Sequence, residues 1–364
     1  MDNQNIISDY DLVVSIIVTV VGTAIFAYPS QLSNMVGTDG WIVILFSGVV
    51  TALLLYLLNK AIEVNNYGRL LDILHSNFGN LLGNIIAFFI AAAGAFIISF
   101  QMRTFIEVIK MYLLEKTPTE FLILLMILTG TFLIRGEFES IIRFNEIAFG
   151  LMFIPVLLSI PFILKGVDYT NILPVFTHEP IEYLKASKVS FLSFSGFSVI
   201  YMLFPYAKDK SKISKVTLGS LGFIVVFYLI ITLMSLMVFS KEYNSQLLWP
   251  SITMISTVDI PGSFVERWEG IAMIFWLIFY FTTFVNIYYF NSEIIRDIFH
   301  LEDIKIALML VIPFIYIAAL YPENIAEVYD IQSKVIPYID TTIIGVIPVI
   351  LLIIAFFKTR RVKK

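Results

Sequence analysis

The chain of 364 residues contains no cysteine, which excludes disulfides, thiolate metal sites and cysteine nucleophiles. Its three histidines, His75, His178 and His300, fall in three separate predicted loops, so no metal cluster is expected. There is no phosphate-cradling glycine loop, no His-Glu-x-x-His pair and no serine in a Gly-x-Ser-x-Gly elbow. The sequence therefore offers no catalytic residue and no cofactor site, and an enzyme is not expected. Charge is also scarce. Only 14% of residues are Asp, Glu, Lys or Arg, and the net charge of −4 leaves no basic face for nucleic acid. Hydrophobic residues make up 59% of the chain, more than a soluble core can hide.

Ten stretches lack Asp, Glu, Lys and Arg altogether: 12–38, 40–59, 77–102, 121–134, 147–164, 189–207, 216–240, 270–292, 306–322 and 341–357. Most approach or exceed the ~20 apolar residues that a helix needs to cross the bilayer core. The segment 121–134 is shorter. It reads either as a re-entrant segment or as a span with Thr117–Glu120 and Arg135 at its two interfaces. In hydrocarbon the backbone must bond to itself, and the alternating pattern of a barrel is absent, so the spans are predicted helices. The expected fold is an all-α polytopic membrane protein forming a single transmembrane domain over 1–364. No cleavable signal is expected, because Asp2, Asp9 and Asp11 precede the first apolar run instead of a basic region.

Fifteen of the 24 lysines and arginines fall on one side of this topology, including the basic tail 358–364. That excess predicts both termini cytoplasmic. The spans divide into repeats of five, 11–164 and 186–357, joined by an extracytoplasmic loop 165–185. An odd number of helices per half makes the halves antiparallel, as an inverted repeat requires. Trp41, Trp249 and Trp268 stand near span ends, where interfacial anchoring is expected; Trp276 lies well inside a span.

The first helix of each half carries the same kind of interruption. Helix 1 reads VVGTAIFAYPS, with Gly22 and Thr23 at mid-membrane and Pro29 beyond. Helix 6 reads FLSFSGFSVIYMLFP, with Ser193, Ser195 and Gly196 at mid-membrane and Pro205 beyond. Glycine weakens a helix by about 1 kcal/mol against alanine, and small hydroxyls bond loosened backbone. Small residues also let helices pack closely, but the matched pair predicts helices broken at mid-membrane around a binding site. Main-chain N–H groups of Gly22, Thr23, Ala24, Ser195, Gly196 and Phe197 suit a carboxylate there, and freed carbonyls suit an ammonium. Phe26, Phe194, Phe197 and Trp276 are candidates to line the side-chain pocket. The expected ligand is a small solute such as an amino acid.

No acidic residue is predicted at mid-depth; Glu63, Glu107, Glu146, Glu266, Glu269 and Asp340 are read as helix-end residues. Thr282 and Thr283, with Asn286 one turn on, either bond their own helix or face helix 1 as a cation or water site. Arg103, Glu107 and Lys110 share one helix face. They read either as an ion-pair ladder at the outer interface or as an outer gate. Arg143 and Glu146 read as a cytoplasmic clasp or a relay. Leu247–Phe264, which includes the turn Pro261-Gly262, reads as an outer amphipathic helix, either a lid or an interfacial helix.

Taken in order, VVGTAIFAYP, GTDGWI, FGNLLGNII, RFNEI, DYTNILPVF, FSGFSVIYMLFP and PGSFVERWEGIAMIFW resemble the spore germination receptor B subunits. These are the germinant permease-like branch of the amino acid–polyamine–organocation superfamily. The family pattern often places an acid shortly after the helix 6 glycine, where Phe197 and Ser198 stand here. The resemblance implies a ten-helix inverted repeat in the spore inner membrane, with an A-type subunit and a lipoprotein C-type subunit as partners. It further implies a role in sensing small nutrients that trigger germination. The competing reading is an ion- or proton-coupled amino-acid transporter working by alternating access.

Overall fold

A computed structural model describes residues 7–136, 138–257 and 268–362. Among them every regular element is helical, and the sole extended contact is an isolated pairing of Ile7 with Ala207. This is the outcome an apolar solvent dictates, since an intrahelical ladder satisfies the backbone without water.

The first crossing consists of two helices, α1 (Asp9–Val21) and α2 (Ala24–Val36). A capping box starts α1: Asp11 N donates to Ser8 Oγ at 3.3 Å, and Ser8 N donates to Asp11 Oδ2 at 2.8 Å. Helix α3 (Gly40–Val64) returns, and α4 (Leu70–Tyr112) bends where Gly79 takes φ 79°. Helix α5 (Thr119–Ile134) has only 16 residues, about 24 Å of rise, and packs against α4. Helix α6 (Phe138–Ile163) completes the first five crossings.

The sixth crossing is again interrupted, with α7 (Pro180–Ser193) followed by α8 (Ile200–Leu203) and flanking 3₁₀ turns. Next come α9 (Ile213–Gln246), the short α10 (Pro250–Ser256), α11 (Trp268–Ile298) and α12 (Ile304–Leu320). Helix α13 (Ile325–Asp340) runs through a π-helical turn, Thr341–Val346, into α14 (Ile347–Val362), making the tenth crossing. The ten-crossing all-α architecture with broken first and sixth helices is thus the one expected.

Several boundaries differ from expectation. Helix α6 starts at Phe138, nine residues before the apolar run at 147. Helix α7 starts at Pro180, inside the segment 165–185 read as loop. Proline suits a first helical turn, and Glu179 with Glu182 forms a capping box over it, with Glu179 N donating to Glu182 Oε2 at 2.9 Å. Trp249 is not an interfacial anchor: it is 3% exposed, and its indole donates to Tyr329 Oη at 2.8 Å. Nor does α10 float on the surface. Ser251, Ile252 and Met254 are buried, and Ser251 Oγ donates to Ile25 O of α2 at 2.7 Å. The turn Pro261-Gly262, with Val258, Asp259 and Phe264, lies outside the described residues.

The two faces of the bundle are closed by different means. On the face holding both described chain ends, Ile7 N donates to Tyr206 O at 3.1 Å and Lys208 N donates to Ile7 O at 2.9 Å. Arg69 donates to Tyr206 Oη, which donates to Glu293 Oε1 of α11 at 3.1 Å. On the opposite face the buried carboxylate of Asp39 gathers the segment before α7. It accepts from Phe176 N at 2.7 Å, Thr177 N at 2.8 Å, Tyr183 Oη at 2.9 Å and His178 Nδ1 at 3.2 Å. Desolvation pushes this carboxyl up, but those donors outweigh it and hold it below the usual carboxylate range.

Candidate functional site at the helix breaks

Both breaks rest on glycines whose backbone an L side chain resists. Gly22 has φ 34° and Gly196 φ 108°. The second break is pressed against the last turns of α1: a Cβ on Gly196 would stand 3.2 Å from Thr19 O and 3.5 Å from Val20 Cα. Among the described residues, the N–H groups of Gly22, Thr23 and Ala24, and those of Gly196 and Phe197, make no well-formed hydrogen bond. Buried main-chain donors are nearly always paired, so these positions depart from the rule.

The carbonyls tell the opposite story. The sequence predicts them free for an ammonium, but side chains take several of them. Thr283 Oγ1 donates to Val18 O, Trp276 Nε1 to Gly22 O at 3.4 Å, and Tyr228 Oη to Ser193 O at 2.7 Å. With Ser251 on Ile25 O, the breaks are held open by side-chain donors on α9, α10 and α11.

The structure sorts the expected pocket residues into two groups. Phe26 lies 5.1 Å from Trp276, between ring centroids, and packs with Phe105, which itself meets Tyr280 in a tilted contact at 4.1 Å. Phe194 lies on the other side, edge-on to Tyr228, which meets Tyr28 in the same way. Phe197 is 1% exposed in the 3₁₀ turn after Gly196. Ser193 and Ser195 are buried with hydroxyls that have no aligned partner.

Thr282 and Thr283 do not converge as a cation site. Thr282 Oγ1 donates to Phe279 O within its own helix, whereas Thr283 crosses to α1. Beside them Asn286 Nδ2 donates to Thr19 Oγ1 at 2.9 Å. Asn145 Nδ2 donates to both Asn286 Oδ1 and Ser15 Oγ. This network ties α1, α6 and α11 together just below the first break.

Arg103 pairs with Glu107 at 2.9 Å and donates to Ala319 O of α12 at 3.2 Å. Lys110 Nζ donates to Thr119 Oγ1 at 2.7 Å, and that hydroxyl reaches Glu107. This ladder joins α4 to α5 and α12. The pair Arg143–Glu146 is not formed: Arg143 binds Glu139 at 2.6 Å, one turn back on α6, and Glu146 lies against Asp11. Both i−4 and i+3 lie on Arg143's helix face, but Glu139 meets it in solvent whereas Glu146 turns toward α1.

Two side chains at the breaks escaped the sequence reading. Gln101 of α4 is buried beside Gly22, with Oε1 unpaired. Asp340, read as a helix-end residue, is 3% exposed in the middle of the tenth crossing. Its carboxyl lies near Ser195 at the helix 6 break, but neither its Oδ2 nor the Ser195 hydroxyl has an aligned partner. An uninterrupted helix from Ile325 to Lys358 was the missing signal, because the apolar run after Asp340 made the aspartate look like a boundary.

A family model described as spore germination protein matches residues 6–328. Among curated relatives, spore germination protein A2 of Bacillus subtilis (strain 168) is 26% identical over 94% of this chain and 93% of its own length. Spore germination protein YndE of the same organism is 26% identical over 88% of each chain. GerQB of Bacillus cereus, also a spore germination protein, is 22% identical over 87% of each. Among solved structures, a Na⁺-coupled sialic acid symporter in its substrate-bound outward-open state superposes with a TM-score of 0.68. It is 13% identical and covers 97% of this chain and 79% of its own. That likeness is one of fold.

Proposed function

This chain belongs to the spore germination protein family, and we propose that it is a germinant receptor subunit that binds a small amino acid between the broken centres of helices 1 and 6. The observation that carries this reading is the set of main-chain donors without a well-formed hydrogen bond at Gly22–Ala24 and Gly196–Phe197, at two neighbouring breaks in a buried, largely uncharged setting. Such donors recognise a carboxylate without an ionised side chain. Phe26 and Trp276 line one flank, while Ser193, Ser195 and Phe194 line the other. Gln101 supplies a further acceptor. The relatives' names support a role in germination. A-type and lipoprotein C-type subunits as partners and a place in the spore inner membrane belong to the same proposal, as do cytoplasmic termini, which rest on the one-sided excess of lysine and arginine.

The symporter-like fold keeps a second reading in play, in which the solute also crosses the membrane. Thermal-shift screening of the purified protein against the standard amino acids tests the site. A stabilising amino acid should lose its effect in Gly196→Leu and weaken in Ser195→Ala. Undiminished stabilisation of both variants would reject the site. Uptake of the same labelled amino acid into proteoliposomes separates carrier from sensor.

A further inference from the structure

The donor-rich breaks account for an amino acid's carboxylate but offer its ammonium no charged partner of their own, and four of the nearby carbonyls are already taken by Thr283, Trp276, Tyr228 and Ser251. Asp340 stands where that partner is needed. The 3₁₀ turn after Gly196 packs on the π turn that follows Asp340, and Tyr201 Oη donates to Ile343 O in that turn at 3.5 Å. A π turn inserts an extra residue and is favoured at functional positions. It sets the Asp340 carboxyl against Ser195, whose hydroxyl and the neighbouring Ser193 hydroxyl are both unsatisfied.

Among the described residues, no basic group neutralises this carboxyl. Of the elements packed on the tenth crossing, α4 brings Arg103, already engaged by Glu107 and Ala319 O. The charged residues of α7, Glu182, Lys185 and Lys188, lie in its first turns, before Ser190, and α8 presents only the Tyr201 hydroxyl. On α3, Lys60 pairs with Glu63 in solvent. An ionised carboxylate left alone in such a place costs several kcal/mol or more, so it is either protonated or paired with a cation.

We propose that Asp340 exchanges a proton for the ligand's primary ammonium. It is a neutral carboxylic acid when the breaks are unliganded, and it ionises as it receives the ammonium of an amino acid docked there. The step balances: the O–H bond of the acid breaks, one proton leaves to solvent, and the carboxylate pairs with an ammonium that stays intact. This inference rests on the ligand site proposed above, and it adds the recognition of positive charge.

The test uses the full-length protein in lipid nanodiscs, read by infrared difference spectroscopy and by binding. Wild type at neutral pH should show a protonated-carboxyl C=O band that Asp340→Asn lacks. Saturating amino acid, chosen by the thermal-shift screen, should remove that band, and the matching α-hydroxy acid should not. Wild-type affinity for the amino acid should rise about tenfold per pH unit across the acidic range, as release of one proton requires. Asp340→Asn should bind weakly and without pH dependence. Identical spectra for wild type and Asp340→Asn, or a band that persists under a bound amino acid, would overturn the proposal. If Asp340→Asn fails to insert, the wild-type pH slope decides alone, and a flat slope rejects it. Should binding be pH-independent yet abolished by Gly196→Leu, the exchange falls and the site stands. If Gly196→Leu binds normally, both fall.

Discussion

Gly196→Ala is the smallest change that probes how tightly the two breaks are pressed together. The alanine must hold φ near 108°, a conformation that costs an L residue roughly 1–2 kcal/mol. Its new Cβ also arrives 3.2 Å from Thr19 O, a main-chain atom of α1 that cannot swing away as a side-chain tip would. Adding about 1 kcal/mol for that crowding gives a loss of roughly 2–3 kcal/mol, or about 30- to 160-fold in the folding equilibrium. Gly219 and Gly222 of α9 are the controls. A Cβ at either meets nothing within 4 Å, so alanine there should be neutral or up to about 1 kcal/mol stabilising through helix propensity. Thermal unfolding in detergent should place Gly196→Ala roughly 5 °C below wild type and the α9 variants at or above it. If Gly196→Ala unfolds alongside Gly219→Ala, the apposition of the breaks is not what the geometry implies.

Thr283→Val should destabilise by about 1–3 kcal/mol, because the buried Val18 carbonyl loses its donor, whereas Thr282→Val should change little beyond its own turn; unfolding midpoints compare the two. Asp39→Ala should cost about 1–3 kcal/mol at neutral pH by stranding Phe176 N and Thr177 N. Since the folded-state carboxyl titrates below its ordinary value, the Asp39 contribution is present above about pH 4 and fades as pH falls through the lowered value. The gap between wild type and Asp39→Ala should therefore close on acidification, and a gap that widens would contradict the network. Arg103→Ala should cost about 3 kcal/mol, since it breaks a mostly buried pair and releases Ala319 O. Arg143→Ala, on an exposed pair, should stay within about 1 kcal/mol in the same measurement.

What could be read in the letters and what could not follow from the same physics. Gly22-Thr23 and the Ser193–Gly196 run are locally poor helix, so the interruptions showed in composition alone. Thr283 reaching a loosened helix 1 carbonyl was one of two readings that spacing left open. Asp340 was hidden because a hydropathy reading uses charge to mark where a span stops. A single acid in the middle of a long helix is mistaken for an end, and the Ser195 it lies near comes from the sixth crossing, far back in the chain. The occupied carbonyls were equally invisible, since Tyr228, Ser251 and Trp276 reach the breaks from helices far along the chain. Glu139, rather than Glu146, as the partner of Arg143 reflects α6 starting nine residues before its apolar run.

The main-chain pairing of Ile7 with Tyr206 and Lys208 works as a latch made of peptide groups, indifferent to which side chains it carries. It joins the lead-in of one interrupted helix to the exit of the other, so neither can swing at that end without its counterpart. Side-chain replacement at Ile7 leaves such a fastening intact, while proline at position 208, which deletes a donor, undoes half of it. Whatever grips the chain just ahead of Ile7 thereby gains leverage over both halves of the molecule at once.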